Sequence, residues 1–257
     1  MAAPSGTLSL GVSGPEAAAL SGLGEDNLVL RAARDLAAHF GIAPLAALAL
    51  DKQLPVASGI GGGSSDAAAA LRALAALWRR PLDGVAALAV ALGADVPVCL
   101  AGSAVWVGGI GERLDPLPPL PPLGVVLANP RRELPTAAVF HARRGDVSSA
   151  VARPMAELSD PEALFAVLAP TRNDLTEAAM SLVPEIAAVL DRLARLPGAR
   201  LARMSGSGAT CFALFPDRAG AIRAGTALRR AESRWWVRAG ALLSEPVPVR
   251  PVATERR

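Results

Sequence analysis

The sequence predicts an α+β protein in two lobes. Strand-like and helix-like segments interleave along the 257 residues, opening and closing on a strand pattern. No internal repeat or heptad array points to a solenoid or coiled coil. Pro116–Pro122, "PLPPLPP", is too stiff to lie inside regular structure, and it divides an amino-terminal lobe, 1–116, from a carboxy-terminal lobe, 117–257.

The elements follow in order. "TLSLGV", Thr7–Val12, alternates apolar and polar residues as a half-buried strand does, and its sheet partners must come from elsewhere in the chain. In "DNLVLRAARDLAAHFG", Val29, Ala33, Leu36 and Phe40 share a helical face; Asp26 or Asn27 suits the start and Gly41 the end. Leu45–Leu50 reads as a short strand. A glycine-rich loop leads into a helix with Leu71, Leu74 and Trp78 on one face, stopping near Pro81. Asp83–Leu92 reads as a helix ended by Gly93, and Ser103–Val107 as a strand. Past the prolines, "GVVLANP" reads as a strand, "PTAAVFHARR" as a helix and Gly145–Pro154 as a connecting loop. Helical patterns cover Pro161–Leu168 and Pro184–Leu196. "ARMSGSGATCFALFP" reads as strand, glycine turn and strand. A helix over Arg218–Glu232 and a strand over Trp235–Leu243 complete the chain.

Composition narrows the function. The net charge is +3, there is no long basic run, and the few aromatics do not interleave with arginine, so the footprint of a nucleic-acid binder is missing. Lys52 is the single lysine, and tyrosine is absent. Cys99 and Cys211 sit in apolar, strand-like surroundings and form neither a disulfide framework nor a metal pattern. The two histidines, His39 and His141, are too far apart in sequence to suggest a histidine-based metal site or triad. The start "MAAPSGTLSL" does not read as a signal peptide. The apolar run Gly84–Gly102 is interrupted by Asp95 and Pro97, and a helix, a turn and a strand explain it better than a membrane span. The expectation is a cytoplasmic protein without nucleic-acid or membrane partners.

The chemistry concentrates in "LPVASGIGGGSSDAAAAL", Leu54–Leu71, where glycines run directly into strong helix formers. A helix start leaves backbone N–H groups unpaired and carries partial positive charge; glycines let an anion approach, and serine hydroxyls add donors. A P-loop needs a lysine after its last glycine, but Ser64 follows Gly63. The dinucleotide fingerprint needs a third glycine where Ser64 stands. Within the stretch, Asp66 reads as a helix cap rather than a metal ligand.

"ASGIGGGSSDAAAAL" resembles the second motif of the GHMP kinases. Its "GGGSSDAA" form resembles the branch that acts in non-mevalonate isoprenoid precursor synthesis. "NLVLRAARDL", "DKQLP", "GADVPVCLAG" and "RMSGSGATCFALF" resemble the same branch in the same order, and "NPRRELPT" and "NDL" match more loosely. The resemblance runs from about Leu8 to Phe215. It implies a ribosomal protein S5-like amino-terminal lobe and a ferredoxin-like carboxy-terminal lobe, with ATP and an alcohol substrate in the cleft between. The implied reaction moves the γ-phosphate of ATP to the 2-hydroxyl of a cytidine-diphosphate-linked methylerythritol. Asp95 of "GADVP" matches the catalytic aspartate and also touches substrate. Pro55, Val56, Ala57, Ser58, Gly59, Ile60, Gly61, Gly62, Gly63, Ser64 and Ser65 match the phosphate loop, while Asn27, Leu28 and Lys52 lie where the family builds its adenine pocket. Thr136, Gly206, Ser207 and Gly208 match substrate-side positions. Mg²⁺ is implied with ATP, with no protein ligand identified, and so is a monomer or homodimer. Another GHMP small-molecule kinase and a non-catalytic nucleotide binder are the alternatives.

The family pattern opens with a "PAKINL"-type motif, which supplies a lysine, and a "GYH" segment that contacts the cytidine. Neither occurs in this chain, which aligns past both. The expectation is that the first part of the amino-terminal lobe is absent because the start is assigned too late. Without the resemblance, Asp95 would read as a turn aspartate, Ser205 and Ser207 as turn residues, and Lys52 as a solvated charge.

Overall fold

The computed structural model describes every residue except 23, 110, 150–152, 154–157, 159, 244–246 and 251–257. It divides into two units. The first is built from Met1–Val56 and Gly61–Pro116, and the second from Ala57–Ile60 and Leu117–Ser244.

In the first unit, β1 (Ala2–Ala3), β2 (Ser9–Ser13) and β3 (Ala47–Asp51) form a sheet in the order β1-β3-β2, with β2 parallel to β3 and β1 antiparallel to it. The strand expected over Thr7–Val12 is thus present, but four of the five β2 residues are exposed, so it is not half-buried. β1 is too short to leave an alternation in the sequence. α1 (Leu28–His39) starts where Asn27 accepts a hydrogen bond from the Val29 N–H at 2.9 Å, and Gly41 follows in left-handed backbone (φ 63°). α2 (Gly62–Trp78) packs on α1, and Leu36, Leu71 and Leu74 are wholly buried between them.

α3 (Ala86–Leu92) is followed by α4 (Val96–Ala101). The segment holding Cys99 was expected as a strand, and this is a correction. Pro97 in the first helical turn needs no amide partner, and Gly102 closes the segment in left-handed backbone (φ 65°), so six residues complete a helix. A short apolar run with β-branched residues does not distinguish the two outcomes. β4 (Val105–Gly108) and β5 (Arg113–Pro116) form an antiparallel hairpin, of which only β4 was anticipated.

In the second unit, β6 (Gly124–Asn129), β7 (Leu201–Met204), β8 (Cys211–Phe215) and β9 (Trp236–Ala241) form a fully antiparallel sheet in the order β7-β8-β6-β9. Side chains alternate across it. Val126, Ala128, Cys211, Ala213 and Phe215 join the core under α5 (Thr136–Ala142), α7 (Thr176–Leu182), α8 (Glu185–Ala194) and α9 (Arg218–Ala231). Val125, Phe212 and Leu214 face the opposite way, toward Leu164 and Phe165 of α6 (Pro161–Leu168). Burial pushes the Cys211 thiol up to about 12. Of the loop expected over Gly145–Pro154, residues 150–152 and 154 lie outside the described residues. Among the described residues no helix is long and apolar enough to cross a membrane.

Candidate active site

The first unit holds an anion-ready helix start. Gly61 is the N-cap of α2 in left-handed backbone (φ 65°). No side chain caps the helix, and its first turn carries no acidic residue, so its leading N–H groups and their partial positive charge remain available. Gly63 is exposed, and a Cβ added there would meet nothing within 4 Å. Ser64 is half-buried and Ser65 exposed beside it. Open space, unpaired amides and two hydroxyls fit a phosphate group.

Asp95 lies against this start. It is the N-cap residue of α4 (φ −87°, ψ −12°), yet its side chain makes no cap hydrogen bond, and the residue is exposed. Its Oδ2 lies 3.8 Å, and the Cys99 Sγ 3.9 Å, from where a Cβ on Gly61 would stand. Burial pushes the Cys99 thiol up, and the Asp95 charge pushes it further the same way.

Lys52 is 4% exposed, so it is not a solvated charge. Its Nζ donates to Asp66 Oδ2 at 2.5 Å and lies 3.5 Å from the Cβ position on Gly62. Asp66 was expected to cap the helix, but it is the fifth residue of α2 and caps nothing. Gly61 already supplies the cap geometry, and Asp66, one turn past Gly62, meets Lys52 instead. The ammonium offsets a carboxylate that would otherwise weaken the hold of the helix start on an anion.

Removing one member of a buried ion pair costs about 3–5 kcal/mol. The Asp66 side chain is 23% exposed, which places Asp66→Asn near or below the lower end, at about 2–3 kcal/mol. The urea midpoint of Asp66→Asn should fall, and Lys52→Met in the same chain should recover most of the loss. An unchanged midpoint would show that the pair contributes nothing.

In the second unit, Ala57–Ile60 packs on the turn between β7 and β8. Ser58, 5% exposed, accepts from the Thr210 N–H through its carbonyl at 3.1 Å. A Cβ on Gly59 (φ 72°) would stand 2.4 Å from the Gly208 carbonyl oxygen, and one on Gly206 (φ 51°) 2.9 Å from the Gly59 carbonyl oxygen. The two glycine segments therefore touch backbone to backbone. Ser207 is buried, and its Oγ shares a 2.9 Å hydrogen bond with Thr136 Oγ1. Asn129, also buried, donates to Thr210 Oγ1 at 2.8 Å.

Asn173 ties the turn down by donating to the carbonyls of Met204 at 3.0 Å and Gly206 at 2.7 Å. Next to it, Asp174 accepts from the Ser148 N–H and Oγ and from Arg172, which hold its carboxyl down at about 2, below its ordinary 3.8. A depressed carboxylate stabilises the fold above its unfolded value and loses that contribution as pH falls through the folded one. Asp174→Asn should therefore lower the urea midpoint at pH 5, and the gap from wild type should close as pH falls from about 4 toward 2. A gap as large at pH 2 as at pH 5 would rule out this account.

The structure thus gathers Lys52, Gly61–Ser65 and Asp95 in the first unit, and Ser58, Gly59, Thr136 and Gly206–Gly208 in the second. Val56, Ala57 and Ile60 link these groups along the chain, and Pro55 is buried just before them. Asn27 Oδ1 is occupied in capping α1, and Leu28 opens that helix half-buried. A recess of ≈ 90 Å³, lined in part by Val29, Leu48, Leu50, Asp66 and Ala70, is well below the roughly 300–1,000 Å³ of a ligand pocket. Sequence reasoning missed Arg72 and the ion-pair role of Asp66. A lone charge inside an alanine- and leucine-rich helix is the signal that marks each.

Two family models match the chain. The model for the GHMP kinases N terminal domain matches residues 27–103, and that for GHMP kinases C terminal matches residues 149–233. A 4-diphosphocytidyl-2-C-methyl-D-erythritol kinase of Rhodospirillum rubrum is 49% identical over 252 residues, 97% of this chain and 82% of that protein. One of the same name from Hyphomonas neptunium is 51% identical over 253 residues, 95% of this chain and 84% of that one. The crystal structure of a 4-(cytidine 5'-diphospho)-2C-methyl-D-erythritol kinase aligns with TM-score 0.71 at 37% identity, covering 94% of this chain and 84% of its own. A homoserine kinase from Cytophaga hutchinsonii aligns with TM-score 0.75 at 18% identity, covering 95% and 85%, a likeness of fold alone.

Proposed function

The chain belongs to the GHMP kinase family, and from that premise we propose that it transfers the γ-phosphoryl group of ATP to the 2-hydroxyl of 4-diphosphocytidyl-2-C-methyl-D-erythritol, in non-mevalonate isoprenoid precursor biosynthesis. The observation that carries the site is the non-capping carboxylate of Asp95, 3.8 Å from the Cβ position of Gly61 at an uncapped helix start. A carboxylate there accepts the proton of the attacking hydroxyl, or orients it, next to amides that hold the phosphates.

Each residue group has a role. Gly61–Ser65 bind the phosphate chain through backbone N–H groups and serine hydroxyls. Gly59 and Ser58 keep the preceding loop seated against Gly206–Gly208, and Thr136 and Ser207 offer hydroxyls to the substrate. Lys52 keeps Asp66 from opposing the phosphates; with Asn27 and Leu28 it lies on the adenine side. Mg²⁺, when bound with ATP, neutralises phosphate charge. Among the described residues no group of three or more His, Cys, Asp or Glu could hold a metal by itself. The reading includes a cytoplasmic enzyme, monomer or homodimer, with small-molecule partners.

The test is ADP release from ATP and Mg²⁺ with 4-diphosphocytidyl-2-C-methyl-D-erythritol, homoserine and mevalonate run side by side. Turnover with the first and a phosphorylated product by mass is the expected result. Turnover with another alcohol instead would replace the substrate, and ATP binding without transfer to any would leave a nucleotide-binding protein.

A further inference from the structure

We infer that Arg72 is a positioning residue that fixes the Asp95 carboxylate against the start of α2 by holding the far end of α4. The inference rests on the role proposed above for Asp95. Arg72 lies on α2, two turns beyond Ser65 and on the same helical face. Its Nη1 donates to the carbonyl of Cys99 at 2.9 Å and to that of Leu100 at 3.2 Å. Both carbonyls belong to the last turn of α4, where a helix runs out of its own donors. The Val98 carbonyl in that turn is taken by the Gly102 N–H. The guanidinium therefore satisfies two carbonyls at once and sets a positive charge at the negative end of the helix.

α4 needs that hold. At six residues it is far below the length at which an isolated helix is stable. Its orientation comes from packing, through wholly buried Val96, and from Arg72. Asp95 stands at the other end of this short lever and makes no cap bond to anchor itself. The same helix, α2, thus carries the phosphate-binding amides at its start and, three turns on, the group that sets the aspartate beside them. A tilt of α4 moves Asp95 without moving the amides.

The experiment compares Arg72→Met, which keeps length and loses both hydrogen bonds, with Arg72→Lys, which reaches one carbonyl at most. Kinetics with 4-diphosphocytidyl-2-C-methyl-D-erythritol and amide hydrogen exchange are measured on each, beside Asp95→Asn. Arg72→Met should lower kcat about 10- to 100-fold, the scale of an ångström-sized misplacement, with KM for ATP within about twofold. Amides of residues 99–102 should lose protection while those of 66–78 keep it. Arg72→Lys should fall between Arg72→Met and wild type in both readouts.

A wild-type kcat in Arg72→Met overturns the inference, as does a fall in kcat/KM carried wholly by KM. If Arg72→Met also loses protection throughout α2, Arg72→Lys decides: reduced kcat with α2 intact supports the inference, and wild-type kcat overturns it. Retained turnover in Asp95→Asn would instead remove the catalytic reading, and α4 exchange would still report whether Arg72 holds the helix.

Discussion

Asp95→Asn is expected to lower kcat by about 10²- to 10⁴-fold while ATP affinity and folding stability stay close to wild type. The amide is nearly isosteric with the carboxylate but accepts no proton. Many aspartates at helix starts stabilise by capping, and their loss mixes fold with function. Asp95 makes no cap bond, so the substitution removes charge and little else. The change has its own reporter. The Asp95 charge is one of the causes that push the Cys99 thiol up, so in Asp95→Asn that thiol becomes more acidic and reacts faster with an alkylating reagent near pH 8. Faster alkylation with lost turnover is the expected pair of results. Full turnover with faster alkylation would show that the charge is gone and that catalysis never needed it.

Gly59→Ala should damage both stability and ATP binding. The residue has φ 72°, and its added Cβ would stand 2.4 Å from the Gly208 carbonyl oxygen, 2.7 Å from the Gly208 nitrogen and 2.7 Å from the Ser205 carbonyl oxygen. All three are backbone atoms and cannot rotate away. Left-handed strain contributes about 1–3 kcal/mol and overpacking about 1–3 more, so a loss of about 4 kcal/mol in unfolding free energy is expected, with a raised KM for ATP. Gly63→Ala is the contrasting control. It sits inside α2 without positive φ and with open space around it, so alanine should hold or raise stability by about 0.5–1 kcal/mol. Its methyl would nonetheless enter the space over the first turn and raise KM for ATP. Urea midpoints and ATP kinetics on both variants separate the two effects. Equal midpoints for Gly59→Ala and wild type would mean that the two glycine segments do not touch in solution.

Much of the fold was legible because local signals agreed with tertiary packing. Asn27 and Gly41 bracket α1, and Asp160 caps the Pro161–Leu168 helix by accepting from the Glu162 and Ala163 N–H groups, where the sequence pattern begins. Strands β6 and β8 fall where short apolar runs bounded by turn residues place them. The sequence did not announce β5, whose four residues Arg113–Pro116 include two charges and a proline, nor α7, whose Thr176–Leu182 follows directly on the "NDL" stretch. In the candidate site, the glycines, Asp95 and the second glycine turn could be picked out by motif. Their contacts could not. Nothing local says that Ser58 meets Thr210, that Lys52 is buried on Asp66, or that Arg72 reaches the end of α4. Those are long-range pairings, decided when helices and strands dock.

The sole lysine is buried in the first unit, and a buried cysteine of suppressed acidity sits in the second. The chain therefore carries a chemically distinct tag in each half. The α-amino group aside, an amine-directed acylating reagent finds its target only when the first unit opens, and a thiol reagent reaches Cys211 only when the second does, while half-buried Cys99 in the first unit takes the same reagent. Peptide mass mapping of Lys52 and Cys211 along a denaturant series, with Cys99 read separately, would show whether the halves unfold together or one at a time, with no fluorophore and no engineered residue.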